Sequence, residues 1–487
     1  MLEKIKELTK DTAIYGISTI VGRFLGFLLI PFYTNVFDTG DFGIQANIYA
    51  YIAFINILFI YGMDAAYMKY ASTANEADKK KIFSTAYYLL SITTIILGLI
   101  LFILRVPISS LMEMPEKYFK LFYYLLFIVA LDTIAIVPFA KLRLERRAVH
   151  YTVIKFFNIL INLVLNFYLI LKLKMGIEAI FISNLVASLF SFLALQPETF
   201  RSLSLIFDKT VMKKIFVFGM PYLPGALAAT IVNVVDRPVV LAMTNESTLG
   251  IYQANYKLGI FMMLFVTMFQ YAWQPFFLNN AQEKNAKEIF AKVLTLFLLV
   301  SSIIWILLTL FIDNLATIQF WHGKTIIGEK FLSGLPIVPI ILLAYLFNGL
   351  YYNFQAGIYI EEKTKYFPFV TGAGAIVNVV INILLIPELG IMGAALATLA
   401  SYIVMAAGLY LFSQKYYEIK YEYAKVFKIL AVIVITCIIY YYMYYEVGLT
   451  LLYKFILLFC FICSLFVMRV VEKNEVIRLI KMLLRVK

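Results

Sequence analysis

Three cations stand where the surrounding sequence is apolar enough to be hydrocarbon-embedded: Arg23, flanked by Gly22 and Gly26, then Arg237, then Lys257. A central arginine in a membrane helix costs about 2.5–3.5 kcal/mol on insertion scales, so it is kept only where it meets a carboxylate or a hydrated cavity. The neighbours of Arg23 supply no carboxylate, and the glycines beside it leave room. This pattern predicts a guanidinium facing a cavity, where its fork of donors matches the oxygens of a phosphate or diphosphate. Arg237 adjoins Asp236, so a structural ion pair is the competing reading there. Two acidic residues, Asp64 and Asp132, lie beside or within apolar runs and are the candidates for coupling transport to an ion gradient. A third signal is a stripe, Tyr345, Asn348, Tyr352, Gln355 and Tyr359, whose steps of three and four keep one helical face. Tyrosine offers an apolar ring and a hydroxyl, so Asn348, Tyr352 and Gln355 read as a wall suited to sugar. Tyr151, Lys155, Asn158, Asn162 and Asn166 form a second such stripe. The competing reading of both stripes is that their polar groups knit neighbouring helices together, at about 0.6 kcal/mol each.

The elements that must position these residues are membrane helices. Of 487 residues 63% are hydrophobic, and the mean hydropathy is +0.87. Soluble domains are roughly half apolar, so only a bilayer solvates this excess. A span needs about 20 apolar residues. Candidates fall near 12–33, 43–63, 82–104, 118–140, 151–172, 176–196, 214–242, 250–272, 289–311, 335–357, 366–387, 390–413, 424–446 and 448–470, fourteen in all. The seventh carries Pro221 and Pro224 and is expected to be kinked or broken. Numbering the flanks alternately, one set holds 30 of the 42 Lys and Arg, the other holds seven, and five lie within spans. By the positive-inside rule this places both termini in the cytoplasm of a multi-pass inner-membrane protein. It also explains the net charge of +13 without nucleic acid. The first apolar stretch ends without a small-residue cleavage site and reads as a retained helix.

Metal, redox and cofactor chemistry find little support. Cys460 and Cys463 form a lone CxxC inside an apolar run, with no second pair, and His150 and His322 are far apart. No cofactor is expected, and no enzyme.

The chain repeats itself. Gly43-Ile44-Gln45-Ala46-Asn47 opens the second span, and Gly250-Ile251-Tyr252-Gln253-Ala254-Asn255 opens the eighth. Asn162 and Asn166 on the fifth span correspond to Asn378 and Asn382 on the eleventh. The offset covers six spans, an even number, so the halves point the same way and relate by an axis along the membrane normal. The expected architecture is all-α, with about 14 transmembrane helices. Residues 1–200 form one six-helix lobe, 201–414 a second, and 415–487 hold helices 13 and 14 with a basic tail, the lobes facing each other across a central cavity.

The run from Asn378 through Asn382 and Pro387 to Gly390, Gly393 and Thr398 resembles the polysaccharide flippase branch of the multidrug/oligosaccharidyl-lipid/polysaccharide exporter superfamily. Gly219-Met220-Pro221-Tyr222-Leu223-Pro224 with Asn233, Asp236 and Arg237 is similar to that branch's seventh helix, and Gly62-Met63-Asp64 to the end of its second. The resemblance implies alternating access and export of undecaprenyl-diphosphate-linked oligosaccharide. Its partners would be that lipid-linked substrate, membrane lipids and polysaccharide polymerase machinery. A multidrug antiporter and a peptidoglycan-precursor flippase of the same superfamily are the alternatives. A membrane-embedded glycan polymerase would need acid–base groups, and the longest external loop, near 312–334, offers only Asp313, His322 and Glu329.

Overall fold

The computed structural model describes residues 22, 24 and 26–470, apart from 322. Arg23, most of the first span and the tail after 470 therefore lie outside the described residues. Fourteen apolar helices follow in order: α1 (Gly26–Val36), α2 (Thr39–Ser72), α3 (Glu76–Ile103), α4 (Lys120–Leu144), α5 (Ala148–Lys172), α6 (Glu178–Ser202), α7 (Lys209–Val234), α8 (Glu246–Asn280), α9 (Ala286–Ala316), α10 (Glu329–Ile360), α11 (Tyr366–Leu389), α12 (Ile391–Tyr416), α13 (Tyr423–Val447) and α14 (Leu451–Val467). Twelve are long and apolar enough to cross a bilayer, and α1 and α14 are the shorter ones.

Helix starts are set by short polar side chains that satisfy otherwise unpaired backbone N–H groups. Asn75 accepts from the Asp78 amide at 2.9 Å, Asp208 from the Thr210 and Val211 amides at 2.7 and 3.0 Å, and Asn245 from the Thr248 amide at 2.9 Å. Two helices are interrupted. In α2, Tyr61 and Gly62 take left-handed φ values of 33° and 75°, splitting it into Thr39–Ile60 and Met63–Ser72. The expected break of the seventh span falls at Met220–Pro221, and after α7 a further short helix, Asp236–Met243, completes the crossing.

The repeat is realised in detail. Asn166 Nδ2 donates to the Asn162 carbonyl at 2.8 Å and to its side-chain oxygen at 3.1 Å. Asn382 Nδ2 donates to the same two atoms of Asn378, both at 2.9 Å. The two opening motifs meet each other: α2 and α8 cross at Gly43 and Gly250, where each glycine abuts backbone of the other helix. The Thr39 and Ser247 hydroxyls bond across the same crossing.

The loop between α9 and α10 holds an element that hydropathy did not disclose. Strands β1 (Gln319–Trp321) and β2 (Lys324–Thr325) form a small antiparallel hairpin, followed by a 3-10 turn. This loop clasps the far end of α1. Asn35 Nδ2 donates to the Thr325 carbonyl at 2.6 Å, the Gly328 amide to Thr34 Oγ1 at 3.1 Å, and Lys330 pairs with Asp38 at 2.5 Å. Helix α14 is pinned to α9 by Lys454, which is buried and donates to both Asp313 oxygens at 2.6 Å and to Asn314 at 2.5 Å.

Candidate functional site

The two lobes touch near both ends. Beyond the Gly43–Gly250 crossing at one end, Gly62 lies against Gly219 toward the Lys/Arg-rich end: a Cβ on Gly62 would come within 2.5 Å of the Gly219 carbonyl oxygen. Lys69 Nζ also stands 3.9 Å from the ring centroid of Phe218. Between these contacts is a cavity of about 280 Å³, lined by Gly26 and Phe27 of α1, by Tyr256, Lys257, Ile260 and Met263 of α8, and by Tyr345 of α10.

A tightening of α8 places Lys257 there. Residues Lys257–Gly259 form a single 3-10 turn. Gly259 at its end lets α10 approach so closely that a Cβ would meet Ile341 Cγ2 at 2.6 Å and Tyr345 Cε2 at 2.9 Å. Lys257 and Tyr345 thereby share one wall, and Tyr345 donates to the Tyr256 hydroxyl at 3.3 Å. The Lys257 side chain is accessible from the cavity and makes no ion pair among the described residues.

Arg237 sits differently. It is buried, at 6% exposure, and Nη1 meets Asp236 Oδ1 at 2.6 Å. Nε donates to Gln253 Oε1 at 3.1 Å, Nη1 also donates to the Asn233 carbonyl, and the guanidinium lies 4.4 Å from the Tyr256 ring centroid. Tyr252 donates to the other Asp236 oxygen, and Tyr402 of α12 donates to Asn233 Oδ1 at 3.2 Å. The guanidinium is thus neutralised and ties the end of α7 to α8, while Asn233 ties it to α12. Of the two readings of the sequence at this position, the ion pair is the one realised.

Asn348 and Gln355 are half-buried on α10, as is Tyr352, whose ring meets Tyr351 at 5.6 Å. Only Tyr345 of this stripe lines the cavity. Asp64 meets Arg143 Nη2 at 3.5 Å near the Lys/Arg-rich end. Asp132, midway along α4, faces Ser188 and Lys155, and Lys155 Nζ stands 4.2 Å from the Phe139 ring centroid. Among the described residues, Arg237 and Lys257 accordingly lie in the second half of the repeat, and Asp64 and Asp132 in the first. Cavity-lining residues not singled out by composition or spacing are Phe27, Tyr256, Ile260 and Met263. Tyr256 adjoins Lys257 in sequence, which was a usable signal; Phe27 and Met263 look like any lipid-facing residue.

The described residues thus form two helical lobes that face each other across a cavity, with a thirteenth and fourteenth helix appended. The solved structure titled Lipid II flippase MurJ, inward closed conformation, superposes with a TM-score of 0.75 at 16% identity, covering 96% of this chain and 100% of that one. An inward-facing multidrug resistance MATE family transporter of the MOP superfamily superposes with a TM-score of 0.65 at 14% identity, covering 81% and 94%. An uncharacterized membrane protein of Haemophilus influenzae is 23% identical over 356 residues, 70% of this chain and 84% of its own length. The profile of the family described as Polysaccharide biosynthesis protein matches residues 8–281, and the chain belongs to that family.

Proposed function

We propose that this protein carries undecaprenyl-diphosphate-linked oligosaccharide units across the cytoplasmic membrane for surface polysaccharide synthesis, with both termini in the cytoplasm. The observation that carries the reading is Lys257, an ammonium on the wall of an inter-lobe cavity with no acidic partner among the described residues. An unpaired charge at membrane depth marks a substrate path, and inside a cavity shielded from bulk water it attracts a diphosphate more strongly than it would in water. The rings of Tyr256 and Tyr345 beside it suit a sugar or prenyl segment, with Asn348, Tyr352 and Gln355 farther along α10 as additional contacts. Arg23 is assigned the diphosphate as well, on its sequence position alone.

Residues 1–200 and 201–414 act as the two rocking lobes, with 415–487 as an appended unit. Asp64 and Asp132 are the coupling candidates. A multidrug antiporter would be expected to present carboxylates to cationic substrates, and the cavity presents Lys257 instead. The peptidoglycan-precursor reading shares the diphosphate chemistry and draws support from the overall likeness to the lipid II flippase fold.

Complementation separates the two. Expression is expected to restore surface polysaccharide in a strain lacking its polysaccharide flippase, and Lys257→Ala to fail while reaching the membrane at normal level. Rescue of a strain depleted of its lipid II flippase, without rescue of the first, would replace the polysaccharide reading by the peptidoglycan one. Flipping in proteoliposomes with and without an imposed proton or sodium gradient tests coupling. Equal rates would remove Asp64 and Asp132 from that role.

A further inference from the structure

At the Lys/Arg-rich end of the second lobe, away from the central cavity, the α10–α11 connector and the last turn of α12 bring three lysines around one pair of tyrosines. Tyr366 opens α11 and Tyr416 closes α12, and their hydroxyls stand 2.5 Å apart. Their rings lie 5.5 Å apart at 30°, and Tyr366 stacks on Phe412 at 4.3 Å. Lys363 Nζ lies 5.5 Å and Lys415 Nζ 5.6 Å from the Tyr416 ring centroid, and Lys365 Nζ lies 5.5 Å from that of Tyr366.

The arrangement is held in place from beneath. Glu362 takes φ 54°, the Lys363 amide bonds back to the Ile358 carbonyl at 2.9 Å, and the Tyr366 amide to the Lys363 carbonyl at 3.2 Å. That is a helix ending with a left-handed residue, followed at once by a hydrogen-bonded turn. Gly357 on α10 packs against Ser413 and Tyr417, with Tyr417 Cβ at 3.1 Å from where a Cβ would stand, so the ends of α10 and α12 are locked together.

Glu362 adjoins Lys363 in sequence but is not ion-paired with it, and the other nearby carboxylates face elsewhere. Glu422 pairs with Lys425 at 3.0 Å, Glu361 faces Tyr417 and Glu418 faces Tyr423, and none of the three lysines makes an ion pair among the described residues. Of the two phenolic protons, one is used in the mutual hydrogen bond and the other is left to donate outward. Three ammonium groups and one phenol donor on a rigid aromatic platform form a complement to a phosphate.

We propose that Lys363, Lys365, Lys415 and the Tyr366–Tyr416 pair form a binding site for a phosphate-bearing anion at the membrane boundary, distinct from the central cavity. A phospholipid headgroup and a soluble diphosphate share this chemistry. The site is independent of which substrate the cavity carries.

Native mass spectrometry of the full-length protein tests it, with phosphatidylglycerol and phosphatidylcholine as lipid probes and inorganic diphosphate as the soluble one. The triple variant K363Q/K365Q/K415Q is expected to lose affinity for phosphatidylglycerol, by about fivefold per lysine removed. K209Q/K213Q/K214Q makes the same change of charge at the same end of the molecule and is expected to leave that affinity unchanged. Y366F/Y416F keeps the charge and the rings and is expected to weaken binding by a smaller factor. Selective loss for phosphatidylglycerol identifies a headgroup site, and selective loss for inorganic diphosphate a soluble-ligand site; either supports the proposal. Equal losses in both triple variants, or none in either, would overturn it in favour of a diffuse basic surface.

Discussion

Gly43 and Gly250 occupy matching places in the two halves of the repeat and meet backbone to backbone: a Cβ on Gly43 would stand 2.9 Å from the Gly250 amide nitrogen, and one on Gly250 3.1 Å from the Gly43 amide nitrogen. No side chain fits there, because the obstructing atoms are backbone. Gly250→Leu is therefore expected to prevent α2 and α8 from closing. The check is a bifunctional cross-link between Thr39→Cys and Ser247→Cys. It should form readily in the parent background and be reduced several-fold by Gly250→Leu at equal protein level. An unchanged yield would show that this crossing does not control closure.

The clasp beside it is expected to ignore pH. Lys330 bonds to and sits beside Asp38 and holds its carboxyl below the ordinary carboxylate value of 3.8. A lowered pKa keeps the pairing intact above the ordinary value, and it is lost only as pH falls through the lowered one. Normalised at each pH to the reactivity of the two thiols toward a monofunctional reagent, the same cross-link should then have a flat yield between about pH 5 and about pH 9. Asp38→Asn should lower it modestly at every pH, since an exposed pair contributes little. A step within that window would point to a different titrating group.

Arg237 and Lys257 predict opposite phenotypes. Arg237→Ala leaves Asp236 buried without its partner, a defect that costs about 3–5 kcal/mol, so the protein should be depleted from the membrane fraction. Lys257→Ala removes a cation that makes no ion pair among the described residues and should leave the protein level intact while export fails. Immunoblots of membranes alongside complementation separate the two. Normal levels of Arg237→Ala would show that the network around Asp236 is not needed for stability.

Asp313→Ala strands the buried Lys454 ammonium, a loss of up to about 3–5 kcal/mol reduced by the partial exposure of Asp313. Helix α14 should then detach first, seen as faster proteolysis after the α13–α14 connector. Asp313→Leu combined with Lys454→Met removes both charges and should restore protection. Continued sensitivity of the double variant would mean that apolar packing around Lys454, rather than the ion pair, seats the helix.

By itself the sequence determined that this chain lives in a bilayer, that it is a bundle of about fourteen apolar helices with an internal repeat, and where its seventh span breaks. Those properties are written in local apolar content, Pro221 and the paired Gly-Ile and Asn motifs, none of which depends on distant contacts. The fate of each membrane cation was decided only in three dimensions. Asp236 beside Arg237 left both a cavity and an ion pair open there, and only the packing decided it: Asp236 and Gln253 meet the guanidinium and Tyr252 bonds to Asp236, while Lys257, one residue beyond Tyr256, opens onto the cavity. Lys454 gives no sign in its own apolar run of its partner 141 residues away. Charge pairing at such separations is set by how helices rotate and pack, which periodicity constrains only to a face. The α9–α10 hairpin escaped for a related reason: its strands span three and two residues, too few for alternation to register, and the loop is held by Thr34, Asn35 and Asp38 from the other lobe.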